Sequence, residues 1–307
     1  MPSLLSNRLT KWALRPVAAL VDQRITRTTS KLRGDLEATR KDLAELRRKQ
    51  YGLGMLLDRT GRGQHRMPTP DQIDALVREV DTTTGADERA RRNVTVAYRN
   101  VVALEALGVG RMAGGTSNVC GKLATIPLLA PRDDDNTLDV LEIGTLHGLF
   151  AAALMRMLHR TGIEARLTIV DPLAGTQLQP GTTDYEEPTG TPVREDVVRA
   201  NLALGGGRSG AEARIRQGFS GDPEVRSEIS DRKYGVIVVD GDHSFEGVLA
   251  DLEWAELIAA PGGIVVLDDY GDGRWPGVKD AFDKHVAGGS RLTMVGRVAT
   301  SAFLRAG

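Results

Sequence analysis

The chain has 307 residues, 41% hydrophobic and 26% charged, which is the make-up of a soluble globular protein with enough apolar side chains for a sizeable core. A formal net charge of −1 excludes a global electrostatic attraction to nucleic acid or to a membrane, so any such attraction has to be local. The single cysteine, Cys120, excludes an internal disulfide framework and a zinc site of four thiolates.

Residues 1–60 are basic and rich in helix formers. From Lys31 to Lys49, Leu32, Leu36, Leu43 and Leu46 recur at helical intervals and predict a long helix. Leu36, Thr39, Leu43 and Leu46 fit about two heptads of a coiled-coil seam, short of the three or four that define one, so a partner helix is expected rather than an autonomous coil. Ahead of them, Leu5, Leu9, Trp12, Val17 and Val21 lie among Arg8, Lys11, Arg15, Arg24 and Arg27. That pattern suits either a homo-oligomer packed through this helix or a peripheral contact with an anionic membrane surface. No run reaches the roughly 20 apolar residues that cross a bilayer and no signal peptide is read, so the expected setting is the cytoplasm.

Residues 61–135 read as a helical cap. Gly61-Arg62-Gly63 and Pro68-Thr69-Pro70 are turn signals. They precede a helix from Pro70 to Val80, capped by Thr69, and a second from Ala86 to Leu107 that stops at Gly108. Gly121-Lys122 resembles the end of a phosphate-binding loop, but position 116 is threonine where that loop starts with glycine, and Leu123 replaces its metal-binding hydroxyl; the motif is set aside.

Residues 136–307 alternate short β-branched runs with helical segments. Strands are expected at Val140 to Ile143, Leu167 to Val170, Ala213 to Ile215, Val236 to Val239 and Ile264 to Leu267, with helices at 148–160, 193–204, 246–259 and 277–287. The near-continuous apolar strands predict a doubly wound α/β domain whose mostly parallel sheet is covered on both faces. Ligands of such sheets bind beyond the carboxyl ends of the strands, so the residues that follow each strand carry the chemistry.

Beyond the first strand lies the turn Glu142-Ile143-Gly144-Thr145-Leu146-His147-Gly148. A dinucleotide fingerprint would place glycines at 146 and 149, and both are leucine, which disfavours the runner-up reading of a nicotinamide-dependent oxidoreductase. An adenosine without phosphates needs only the turn, and Glu142 suits a ligand with an ammonium and a sulfonium; S-adenosylmethionine (SAM) has both. Asp171 ends the second strand, where a carboxylate accepts hydrogen bonds from ribose hydroxyls, and Gly218, Phe219 and Ser220 after the third strand are placed to flank an adenine. The fourth and fifth strands end in Asp240-Gly241-Asp242-His243 and Asp268-Asp269-Tyr270. Carboxylates gathered at strand tips repel one another, which a hard divalent ion resolves, magnesium first; Asp242 reads equally well as a helix cap.

These segments, with Pro261 to Tyr270, resemble the SAM-dependent O-methyltransferases, and among them the bacterial sugar methyltransferases of the macrocin O-methyltransferase type. The resemblance implies a seven-stranded Rossmann-like methyltransferase sheet, a SAM turn of Glu142, Gly144, Thr145 and Gly148, a ribose contact at Asp171, and a metal on Asp240, Asp268 and Asp269. The implied acceptor is a hydroxyl of a sugar or of a glycosylated or phenolic small molecule. His243 is the best-placed general base, with Asp240 or Asp242 in reserve. Two features depart from the compact members: the N-terminal helix, and a long loop from Pro172 to Val193 whose Asp184, Tyr185, Glu186 and Glu187 suit a lid. Trp275 is placed to stack on a sugar ring or to cover the last helix. The remaining alternative is a non-catalytic scaffold that acts through its N-terminal helix.

Overall fold

The computed structural model describes residues 8–57, 68–110, 112, 114–132, 135–174 and 193–307. The expected turn at Gly61-Arg62-Gly63 and the lid residues Asp184, Tyr185, Glu186 and Glu187 lie outside the described residues. The chain divides into two units, Met1–Met55 and Leu56–Gly307. The first is built on one helix, α1 (Arg8–Leu57), which continues well beyond the predicted Lys31 to Lys49 and exposes Leu32, Leu36, Leu43 and Leu46. No helix among the described residues is long and apolar enough to cross a membrane.

The second unit is a seven-stranded sheet flanked by helices. Its strands are β1 (Thr137–Ile143), β2 (Glu164–Asp171), β3 (Arg214–Gln217), β4 (Tyr234–Val239), β5 (Ala259–Leu267), β6 (Leu292–Val298) and β7 (Ser301–Ala306), in the order β3-β2-β1-β4-β5-β7-β6. β1 to β5 pair in parallel, whereas β7 runs antiparallel to both β5 and β6. The order reverses direction between β1 and β4, the switch point at which open α/β sheets bind their ligands.

The apolar strands are explained by two cores. Val236, Val238, Ile264 and Val266 enter one, shared with α2 (Pro70–Thr84), α3 (Glu88–Ala106), α4 (Thr116–Leu129), α5 (Leu149–His159) and α6 (Glu195–Gly205). Ile237, Val239, Val265 and Leu267 enter the other, beneath α8 (Pro223–Ile229), α9 (Phe245–Ile258) and α10 (Pro276–Ala287). A short α7 (Gly207–Ala211) precedes β3. With both faces buried, period-two alternation has no polar side to show.

The elements follow their local signals. At the start of α2, Thr69 Oγ1 accepts from the Gln72 amide while the Thr69 amide donates to Gln72 Oε1, a capping box with Pro70 at the first helical position. The helix runs past the expected Val80 to Thr84, where Gly85 at φ 62° supplies the left-handed cap. Sequence reading missed α4 altogether. Its Gly121, noted in the sequence only for a loop motif that was set aside, lets the helix approach the sheet, since a Cβ there would lie 2.8 Å from Val298 Cγ1.

Candidate functional site

The turn after β1 is fixed by backbone and by one carboxylate. The Gly144 amide donates to Val170 O and the Asp240 amide to Ile143 O, which binds the ends of β1, β2 and β4 together. Gly144 has φ +86°, and a Cβ there would fall 2.1 Å from Asp240 O, so the two strand tips touch through a position only glycine can occupy. Leu146 also holds a positive φ, 54°, which is strained for a branched side chain. Asp171 compensates: Oδ2 accepts from the amides of Thr145 (2.6 Å) and Leu146 (3.2 Å), and Oδ1 from that of Leu173 (2.7 Å). Asp171 is buried and therefore clasps the turn, a task that its place at the end of β2 did not reveal. Gly148, at φ +83°, opens α5, and Leu149 is packed in the core where a dinucleotide fingerprint would need glycine.

Glu142 is 2% exposed, and its Oε2 has no hydrogen-bond partner among the described residues. Burial, reinforced by the neighbouring Asp171 charge, pushes its carboxyl up to about 8 against the opposing pull of Thr145 and Lys122. A buried acid with one oxygen left unbonded fits a site completed by a cation, which is what SAM supplies. At the end of β3, the Gly218 amide donates to Asp171 O, Phe219 is exposed at the sheet edge with its amide on Asp222 Oδ2, and Ser220 O accepts from Arg226.

Between the tips of β4 and β5 sits a lysine. Lys122 Nζ lies 2.8 Å from Asp240 Oδ2 and 2.8 Å from Asp268 Oδ1, with its side chain 2% exposed. Its ammonium also faces the Phe150 ring, 4.8 Å from the centroid. Asn118, one turn earlier on the same face of α4, donates to Asp268 Oδ1 at 2.8 Å, and the Ser301 hydroxyl at the start of β7 completes this cluster. Burial alone would strip the proton from Lys122, but the two carboxylates outweigh it and hold the ammonium charged. The Lys122 charge, with hydrogen bonds from Lys122, Asp240 and Asn118, in turn holds Asp268 well below the usual carboxylate range despite its burial. Asp240 moves the other way, raised by burial and by the adjacent Asp268 charge.

His243 stands beside this cluster. Its Nε2 is 3.5 Å from Asp269 Oδ2 and 3.8 Å from Asp240 Oδ1, and its ring stacks on Trp275 with centroids 5.0 Å apart. Trp275 thus supports the imidazole. Burial lowers the His243 pKa and favours the neutral form, which is the one that accepts a proton. Asp269, at φ 52°, is pushed up to about 6 by burial and by the Asp268 charge. Asp242 is occupied elsewhere: it accepts from the Ser244 amide and hydroxyl, while Ser244 Oγ caps α9 by accepting from the Gly247 amide. Asp242 braces a helix start, the alternative that the sequence offered beside its place as a reserve base.

Ligand atoms of Asp240, His243 and Asp268 lie within 4.8 Å of one another, a spacing that suits a divalent cation, with Asp269 Oδ2 3.5 Å from His243 Nε2. Lys122 is the residue that sequence reasoning missed. Its only sequence signal is the polar pair Asn118 and Lys122, four apart on a helix that from Val119 to Leu129 is otherwise apolar except for Thr125.

Residues 141–270 match the family model of a methyltransferase domain. The chain is also similar to solved structures. One is CalS11, a TDP-rhamnose 3'-O-methyltransferase in calicheamicin biosynthesis, at 18% identity and TM-score 0.42 over 78% of this chain and 96% of that one. The O-methyltransferase NovP aligns at 18% identity and TM-score 0.44 over 77% and 99%. An O-methyltransferase from Bacillus cereus in complex with SAH aligns at 14% identity and TM-score 0.43 over 74% and 99%. No curated protein matches the chain.

Proposed function

We propose that the chain, whose residues 141–270 match the family model of a methyltransferase domain, is a SAM-dependent methyltransferase that methylates a hydroxyl of a sugar or of a glycosylated or phenolic small molecule. The observation that carries this reading is the meeting of Asp240, His243 and Asp268 at the tips of β4 and β5, against the turn after β1 that Gly144 joins to Asp240. The acceptor class follows from the resemblance carried by Asp240 to His243 and Pro261 to Tyr270.

Transfer is an in-line displacement in which the acceptor oxygen bonds to the methyl carbon as the carbon–sulfur bond breaks, its electron pair passing to the sulfonium sulfur. The hydroxyl proton goes to Nε2 of His243, which burial keeps neutral. Asp240, Asp268 and Asp269 would hold a divalent cation, magnesium first, beside His243 as the base. Such a cation, when bound, lowers the acceptor hydroxyl's pKa and fixes its position. Glu142 supplies the negative charge for the cofactor, and Asp171 keeps the turn in shape for it.

The test is transfer of an isotope-labelled methyl group from SAM to panels of sugars, nucleotide sugars, phenols and amines, with magnesium or with chelator. Label on a hydroxyl, lost on chelation, is the expected outcome. Label confined to nitrogen acceptors would refute the acceptor class, and transfer indifferent to chelation would refute the cation.

A further inference from the structure

The seam on α1 is longer than Leu36 to Leu46. Ile25, Leu32, Leu36, Leu43 and Leu46 are each at least 45% exposed. With Thr29 and Thr39 they recur at alternating steps of four and three residues from Ile25 to Leu46, giving about three unbroken heptads within one continuous helix. Thr39 fits such a seam because its hydroxyl donates to Asp35 O at 2.8 Å and enters the interface with its hydrogen bond made.

We propose that α1 pairs with α1 of a second copy of this chain as a parallel, in-register, two-stranded coiled coil over residues 25–46. The flanking charges select both partner and direction. Asp35 and Asp42 border the seam on one side, and Arg33, Arg40 and Arg47 border it on the other. In a parallel pair each flanking residue meets the partner residue five positions further on, so Asp35 faces Arg40 and Asp42 faces Arg47 across the interface. An antiparallel pair would set aspartate against aspartate and arginine against arginine. A shift by one heptad would lose one of the four ion pairs and leave a leucine layer unmatched. An anionic bilayer fits this face poorly, because Asp35 and Asp42 would be pressed to its surface.

The full chain tests this by sedimentation equilibrium. The expected mass is twice the 33.1 kDa of the single chain. Leu36→Asp with Leu43→Asp should weaken dimerisation at least a hundredfold, while Leu20→Asp, exposed but off the seam, leaves it intact. Arg40→Asp with Arg47→Asp should weaken it about tenfold, and adding Asp35→Arg with Asp42→Arg should restore it. Leu43→Cys reports direction, since only a parallel in-register pair brings the two copies of position 43 together to form a disulfide-linked dimer under mild oxidant; the native Cys120 is buried. SAH binding by each variant confirms that the rest of the chain is folded. A monomeric wild type, a dimer that survives the paired leucine substitutions, absence of the Leu43→Cys cross-link, or a monomer that sediments with phosphatidylglycerol vesicles would each overturn the proposal.

Discussion

Lys122 answers, with a side chain, the repulsion that the clustered aspartates create. Three groups that are each costly to bury become mutually tolerable because the ammonium bonds two carboxylates at 2.8 Å and Asn118 and Ser301 satisfy Asp268 further. Removing one partner of such a cluster leaves uncompensated buried charge. Lys122→Met should therefore destabilise the protein by about 3–5 kcal/mol, read from chemical denaturation at pH 7, whereas an effect near zero would mean that water reaches these carboxylates. Glu142 makes a second prediction. Its carboxyl, raised to about 8, holds its proton more tightly in the folded chain than in the unfolded one, so the ligand-free protein loses stability as pH climbs from about 4.5 to 8. A cationic cofactor favours the ionised form, so SAM binding should release a proton near neutrality and tighten as pH rises towards 8. Calorimetry in buffers of different ionisation enthalpy measures that proton, and Glu142→Gln should abolish both effects. The acidic residues of the site were legible because each directly follows an apolar run. Lys122 was not, because it acts on a residue 118 positions away and sits in a segment that resembled a failed loop motif.

At the scale of elements, the turn after β1 depends on a backbone contact that no side chain could reproduce. Gly144→Ala would drive a Cβ into Asp240 O, so the tips of β1 and β4 must separate. SAH affinity should fall at least tenfold with the circular dichroism of the fold kept; unchanged affinity would show that the turn does not shape the cofactor site. The parallel strands were readable from their β-branched runs, which two-sided burial makes continuous, and the helices between them from their periodicity. The antiparallel end of the sheet was less so. β6 is only partly buried and shifts register between Met294 and Gly296, leaving no clean alternation, and β7 is a short run. α4 escaped because it is apolar around almost its whole circumference, so the amphipathic period that announces a surface helix is missing.

For the molecule as a whole, the sheet's switch point gathers what the chemistry needs. β1 brings the glycine turn and Glu142, β2 brings Asp171 to hold that turn, and β4 and β5 bring Asp240, His243, Asp268 and Asp269 to its side. α4 crosses the same face of the sheet and inserts Lys122 among them, so the turn proposed to cradle the cofactor and an acidic, imidazole-bearing pocket share one rim. The direct test is a crystal of the full chain soaked with SAH and manganese, whose anomalous signal marks a magnesium site. The nucleoside should lie on the turn from Glu142 to Gly148, with one anomalous peak among Asp240, Asp268 and Asp269. SAH bound away from that turn, or manganese bound elsewhere while Lys122 alone bridges Asp240 and Asp268, would contradict the account.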